Sequence, residues 1–184
     1  MYTVYISGTG DPDIAATFGE KYEITDDPDQ SNIILSYDGK ITDEMFASRL
    51  VFAVVDMSDG GFDEAAVKCC SEHGAVLFRS GDGISGVAVP VCDFIENGNI
   101  TSSVNFPEVT LGPFGDDVSR LVVLTREIDA PILLGAMMES SMDLRAIAGG
   151  VKEEFGAALI AGREPVTRVP HIDGVIKVRV LQDI

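Results

Sequence analysis

The sequence predicts an α/β domain followed by an α+β domain. Short, continuously apolar runs alternate with helical patterns through residues 1–80, as in a parallel sheet covered on both faces. A glycine-rich stretch, Ser80 to Gly86, interrupts that rhythm. From Val118 a different pattern begins: strand, helix, two strands, a weak helical stretch and a last alternating strand.

In the first half, Tyr2 to Ser7 is a β-rich run. Asp11 offers an N-cap and Pro12 a first helical position for a short helix through Phe18, since proline's missing N–H costs nothing there. Asn32 to Ser36 reads as a buried strand, Thr42 to Arg49 as a weak helix, and Leu50 to Val55 as another apolar strand. Asp63 to His73 is the clearest helix, with acidic residues at its positive end, Ala66, Cys69, Cys70 and His73 at helical spacing, and Gly74 closing it. Ala75 to Phe78 is a fourth strand. The Ser80–Gly86 stretch, with three glycines, reads as a flexible join into a helix over Val87 to Glu96, which Asn97, Gly98 and Asn99 end. A loop carrying Pro107, Gly112, Pro113 and Gly115 leads on, so the domains are expected at 1–113 and 114–184.

In the second half, Arg120 to Thr125 is a strand, and Asp129 caps a helix running through Met138 with Pro131 in its first turn. Leu144 to Lys152 and Phe155 to Ala161 form a strand pair, Glu164 to His171 is a degraded helix, and Val175 to Leu181 alternates as a last strand. That order is a ferredoxin-like βαββαβ unit.

Thirty acidic residues against 13 Lys and Arg give a formal charge of -17. Such a field repels nucleic acid and anionic lipid and favours cationic partners. Three cysteines, Cys69, Cys70 and Cys92, and a strand pattern directly after Met1 lead to the expectation of a soluble, cytoplasmic protein without a signal peptide. The longest apolar run, Leu50 to Val55, is too short to span a bilayer.

Gly8-Thr9-Gly10 follows a strand but lacks the third glycine and the Lys-Ser or Lys-Thr pair of a phosphate loop. Cys69-Cys70 with His73 suggests metal ligation, but a zinc site needs further ligands, and the one other histidine, His171, lies in the second domain. The reading preferred is a buried thiol on a helix core face, with no metal site. Asp26, Asp27 and Asp29 form an acidic turn, read as solvated surface, with a weak cation site as the minor alternative. The residues offer no catalytic constellation and no cofactor motif.

The run Ile95 to Val109, IENGNITSSVNFPEV, resembles the segment of 3-phosphoglycerate dehydrogenases that leaves the nucleotide-binding domain. Residues 2–80 resemble the start of that family, through Tyr22-Glu23-Ile24, the Ile33 to Leu35 strand and the Glu72 to Phe78 run. Residues 118–181 resemble its C-terminal ACT domain, ending in Asp173-Gly174-Val175-Ile176-Lys177-Val178-Arg179-Val180. The resemblance implies a flavodoxin-like remnant of a substrate domain followed by a ferredoxin-like ACT domain. The family's NAD-binding domain would stand between Phe78 and Glu96, where this chain has only the SGDGISG join. The pyrophosphate-binding glycines and the catalytic Arg, Glu and His belong to that domain, so the resemblance implies no dehydrogenase activity.

The remaining anion-binding positions differ as well. Where the family has an Arg-Ser pair, this chain has Ser36-Tyr37; where it has an Arg followed by alternating glycines, this chain reads Val54-Val55-Asp56-Met57-Ser58-Asp59. Each charge-assisted hydrogen bond lost is worth about 1.5–3 kcal/mol. In the ACT half, the family's serine-binding loop is replaced by Thr125-Arg126-Glu127-Ile128-Asp129-Ala130, with Asp143 at the later position. Thr125, Glu127, Asp129, Ala130 and Asp143 are therefore the candidate effector residues, suited to an ammonium group rather than a free carboxylate. The expectation is a non-catalytic regulatory or amino-acid-sensing protein, homodimeric through its ACT domain. The alternative is an accessory component of serine biosynthesis that docks on a full-length dehydrogenase.

Overall fold

A computed structural model describes residues 1–10, 13–60, 63–81, 83–114, 118–139, 143–166 and 169–182. The chain divides into two units, Met1–Cys92 with Ser103–Asn105, and Asp93–Ser102 with Phe106–Ile184. The division falls earlier than the expected boundary at 113/114: the stretch after Cys92, apart from 103–105, belongs with the second unit.

The first unit is α/β. Strands β1 (Tyr2–Ser7), β2 (Tyr22–Thr25), β3 (Ile33–Ser36), β4 (Ala53–Asp56) and β5 (Val76–Arg79) form a parallel sheet in the order β2-β1-β3-β4-β5. Every residue of β3 and β4 is buried, which is why their sequences run apolar without alternating. Ile34, Phe46, Val51, Val54, Cys70, Ala75 and Leu77 form one core cluster. Helix α1 (Ile14–Phe18) is capped by Asp13, whose carboxylate accepts from the Ala16 amide; the proposed cap Asp11 and Pro12 lie outside the described residues. Helix α2 (Glu64–Glu72) starts at Asp63, which caps the Ala65 amide, and Gly74 follows it at φ 65°. The weak helix expected over Thr42 to Arg49 is one 3-10 turn, Asp43–Phe46, with only Phe46 buried. Phe46 with the part-buried Met45 makes too narrow an apolar stripe to hold a longer amphipathic helix to the core.

Asn105 accounts for the 103–105 segment's membership of this unit. Its side chain is 4% exposed. The carbonyl oxygen accepts from the Leu77 amide at 2.9 Å, and the amide nitrogen donates to the Ala75 carbonyl at 2.9 Å and to Ser71 Oγ at 3.1 Å. One asparagine thus satisfies main-chain groups at the start of β5 that no strand pairs.

Helix α3 (Ser85–Asn97) contains Pro90, and the two units meet in sequence within it. The join before it is short: β5 ends at Arg79 and α3 begins at Ser85, with the Ser80 hydroxyl donating to the Gly83 carbonyl. Glycines here form a local turn into the helix.

The second unit holds β6 (Ser119–Arg126), α4 (Ala130–Glu139), β7 (Leu144–Lys152), β8 (Phe155–Gly162) and β9 (Val175–Gln182). The strands form an antiparallel sheet in the order β7-β8-β6-β9. Leu121, Val123, Ala158 and Ile160 face one side, where Leu133 of α4 joins them. No helix occurs in the described part of Glu164 to His171; residues 167 and 168 lie outside it. Prolines at 165 and 170 interrupt the stretch, and Val166 and Val169 pack part-buried against the second unit's core without one.

On the sheet's other face, Arg120 is fully buried and its guanidinium donates to the carbonyls of Asn97 (2.9 Å), Gly112 (2.8 Å) and Pro113 (2.7 Å). Arg179 on β9 donates to Phe94 and Ile95 carbonyls in the last turn of α3. Asn99, 2% exposed, bonds Asp93, the Gly112 carbonyl and the Leu111 amide. Gly98, at φ 79°, is needed there: a Cβ would stand 2.7 Å from Val122 Cγ2 and 2.9 Å from Leu159 Cδ1. The asparagines and glycine of the ENGNI run are therefore structural brackets. No helix of the described residues is long and apolar enough to cross a membrane.

Candidate functional site

Three places concentrate polar chemistry. In open parallel sheets ligands sit beyond the carboxyl ends of the strands, where the strand order reverses. Here that point lies between β1 and β3, and the final register row runs Ser7, Ser36, Asp56, Arg79 across the sheet. Its polar groups are used internally. Asp38 Oδ1 accepts from Ser36 Oγ at 3.2 Å, from the Lys40 amide at 3.1 Å and from Ser7 Oγ at 3.4 Å. Asp56 Oδ1 accepts from the Ser58 hydroxyl at 2.6 Å and its amide at 3.0 Å. The Arg79 guanidinium donates to the Gly60 carbonyl. The Tyr37 ring lies so close over Gly10 that no Cβ fits there. Desolvation pushes the Asp38 carboxyl up, but the bonds from Lys40 and Ser36 outweigh it and hold it below its ordinary range. An edge with two carboxylates, a loop closed by an aromatic ring and an arginine engaged by main chain does not form an anion cradle.

The second place is the loop after β6. Thr125 is fully buried, and its hydroxyl donates to the Ile128 carbonyl at 2.9 Å. Glu127 takes φ 58° and is exposed, and its amide donates to the Glu154 carbonyl. Asp129, exposed, caps α4 through the Ile132 amide at 3.2 Å, and Ala130 is the first residue of that helix. These four residues are brought together. Asp143 is not with them. It precedes β7, whose Leu144 pairs with Gly162, itself opposite Ser119 at the other end of β6. From Thr125 to Ser119 is six positions, about 20 Å of strand. Asp143 bonds instead through its carbonyl to the Arg163 amide. The expected grouping of Thr125 and Glu127 with Asp143 therefore does not form within one chain, because the β7–β8 hairpin carries Asp143 to the far end of the sheet.

The third place lies where α2 meets the 3-10 turn. Cys70 is fully buried in the core, as expected, but Cys69 is only half buried. Cys69 on α2 and His73, four residues on at the helix C-cap, converge on Asp43 of the 3-10 turn. His73 Nε2 donates to Asp43 Oδ1 at 2.8 Å, and the Cys69 thiol reaches the same oxygen at 3.5 Å. The His73 ring stacks on Phe46, with centroids 4.7 Å apart and planes 6° from parallel. Burial pushes the Cys69 thiol up to about 12, with the Asp43 hydrogen bond and charge adding to it. The hydrogen bonds from His73 and then Cys69 hold the Asp43 carboxyl below its usual range. The i, i+4 spacing of Cys69 and His73 was visible in the sequence; the third member, 30 residues from His73, was not.

In comparisons with known proteins, no family model and no curated protein matches this chain.

Proposed function

We propose that the chain is a non-catalytic, 3-phosphoglycerate-dehydrogenase-like protein whose second unit is an ACT-like module that forms a homodimer and senses a small amino-bearing molecule. The topology of the second unit carries this reading. A strand, a helix, a hairpin and a returning strand in the spatial order β7-β8-β6-β9 make the ferredoxin-like arrangement, with no helix among the described residues of the second crossover. The first unit's order β2-β1-β3-β4-β5 is the flavodoxin-like one. The short join from Arg79 to Ser85 supports the absence of an inserted nucleotide-binding domain at that point. The occupied, acidic strand ends of the first unit support a scaffold in place of a phosphoester site.

The homodimer is supported by the exposed side of the second sheet. β7 is nine residues long, contains Ala146, Ala148, Gly149 and Gly150, and pairs only with β8 among the described residues. An edge of this length is open to pairing with another strand. Beside it, α4 presents Ile132 at 59% exposure. A two-fold partner would also bring a second Asp143 to the assembly, and Glu127 with Asp129 would offer an ammonium group two carboxylates.

Calorimetric titration of the full chain with a panel of amino acids and polyamines tests the sensing role. Saturable heat for an amino-bearing ligand, weakened at least tenfold by Glu127→Gln, is expected. Absence of heat and of thermal shift for every member would leave only a scaffold. Turnover of phosphoglycerate with NAD would overturn the non-catalytic reading.

A further inference from the structure

We propose that Asp43, Cys69 and His73 form a zinc-binding site on the first unit, with three protein ligands and an outward fourth position. The proposal does not rest on the sensing role of the second unit. A carboxylate oxygen of Asp43, Sγ of Cys69 and a ring nitrogen of His73 all lie within 4.8 Å of one another. A tetrahedral zinc ion with bonds of about 2.0 Å to nitrogen and oxygen and about 2.3 Å to sulfur sets its donors roughly 3.3–3.6 Å apart. The Nε2–Oδ1 pair at 2.8 Å would open by about half an ångström, and the sulfur, already 3.5 Å from the oxygen, would turn inward.

The scaffold around the donors is already ordered. Cys69 on α2 and His73, the residue that caps its C-terminus, stand at i and i+4, the spacing by which one helical turn presents two donors to one metal. Stacking on buried Phe46 fixes the plane of the His73 ring. Phe46 also ends the turn that begins at Asp43, so one residue aligns two ligands. Cys70, next to Cys69, anchors α2 in the core. The Asp43 side chain is 83% exposed and that of His73 34%, which leaves the fourth position to water or an incoming group.

The donor set selects the ion. A thiolate and an imidazole disfavour calcium and magnesium, which take oxygen ligands, and suit zinc with one carboxylate completing the set. Without a cation, Asp43 opposes ionisation of the neighbouring thiol. A divalent ion reverses this local field, and binding releases the thiol proton to solvent. The net charge of -17 raises the local concentration of cations in general.

Chelator-treated, reduced full-length chain titrated with Co2+ and then Zn2+ tests the site. One equivalent of Co2+ should give a thiolate-to-cobalt charge-transfer band and tetrahedral visible absorption, both abolished by one equivalent of Zn2+. Cys69→Ser should remove the charge-transfer band, and Asp43→Asn and His73→Gln should each weaken Zn2+ by about 100-fold or more, on the scale set by 10–100-fold losses for outer-shell changes. Cys92→Ser should leave binding unchanged. Asp43 is exposed, so its variant keeps the fold, checked by circular dichroism. A charge-transfer band that survives Cys69→Ser, or Zn2+ affinity unaltered by Asp43→Asn, would overturn the proposal. So would the absence of any band, which would leave the trio as a surface hydrogen-bond cluster.

Discussion

Arg120 and Arg179, on neighbouring strands β6 and β9, both end on main-chain carbonyls at the C-terminal end of α3 and the loop beyond it. The last carbonyls of a helix have no partners within it, and cations are favoured at that end of its dipole. Two guanidiniums supply the donors, with the Phe114 ring 5.1 Å beneath Arg120 and the Phe94 ring 5.8 Å beneath Arg179. Arg120→Met keeps much of the volume and removes three charged hydrogen bonds. It is expected to destabilise the second unit by about 3 kcal/mol or more, read as a lower denaturant midpoint. Arg120→Lys should recover only part of the loss, because one ammonium cannot match the planar fork.

Gly156, on β8, packs closely against the loop after β6. A Cβ there would stand 2.5 Å from Thr125 Oγ1 and 2.6 Å from the Ile128 carbonyl oxygen, the two atoms of the bond that closes the loop. Gly156→Ala is therefore expected to cost about 1–3 kcal/mol and to weaken any ligand held at Glu127 and Asp129. Thr125→Val, which removes the bond without adding volume, separates the two effects: it should lower stability by about 1 kcal/mol without the steric shift. Paired thermal melts and titrations of both variants check this.

Asp38 sets an acid-sensitive element. Its carboxyl is held below the unfolded value, so its contribution to stability is complete above the ordinary aspartate range near about 4 and is lost as pH falls through the depressed folded value. Asp38→Asn should leave a shallower acid limb in denaturant midpoints measured as pH is lowered from neutrality. An unchanged slope would show that the Ser7, Ser36 and Lys40 bonds form equally well to a neutral group.

How much of this was legible depended on burial. β3, β4 and β5 could be read because strands covered on both faces are apolar throughout, as Ile33, Ile34 and Leu35 are. β2 gave no such signal: Tyr22 is its one buried residue, and Glu23 and Ile24 face solvent at the sheet edge. In the second unit β9 was readable from its alternating sequence and Asp129 as a cap from its place before the helix. The position of Asp143 was not, since it follows from the register of a hairpin with a shift between Leu144 and Ala146. Asp43 was unreadable as a partner of Cys69 and His73 for the same reason, because only folding brings the 3-10 turn to α2.

Ile132 on α4 and Val151 on β7 are large apolar side chains exposed at 59% and 51%. Burying both against a second copy would remove them from water, and charging them would oppose that burial. Ile132→Glu and Val151→Glu are expected to weaken self-association by at least tenfold while leaving the circular dichroism spectrum unchanged. Equal effects of Val89→Glu, exposed on α3 in the first unit, would point to a different contact surface.

The most direct measurement is sedimentation equilibrium of the full chain at micromolar concentration. A species of twice the 19.6 kDa chain mass is expected, shifted toward the single-chain mass by Ile132→Glu. A monomer at every concentration examined up to the high micromolar range would contradict it.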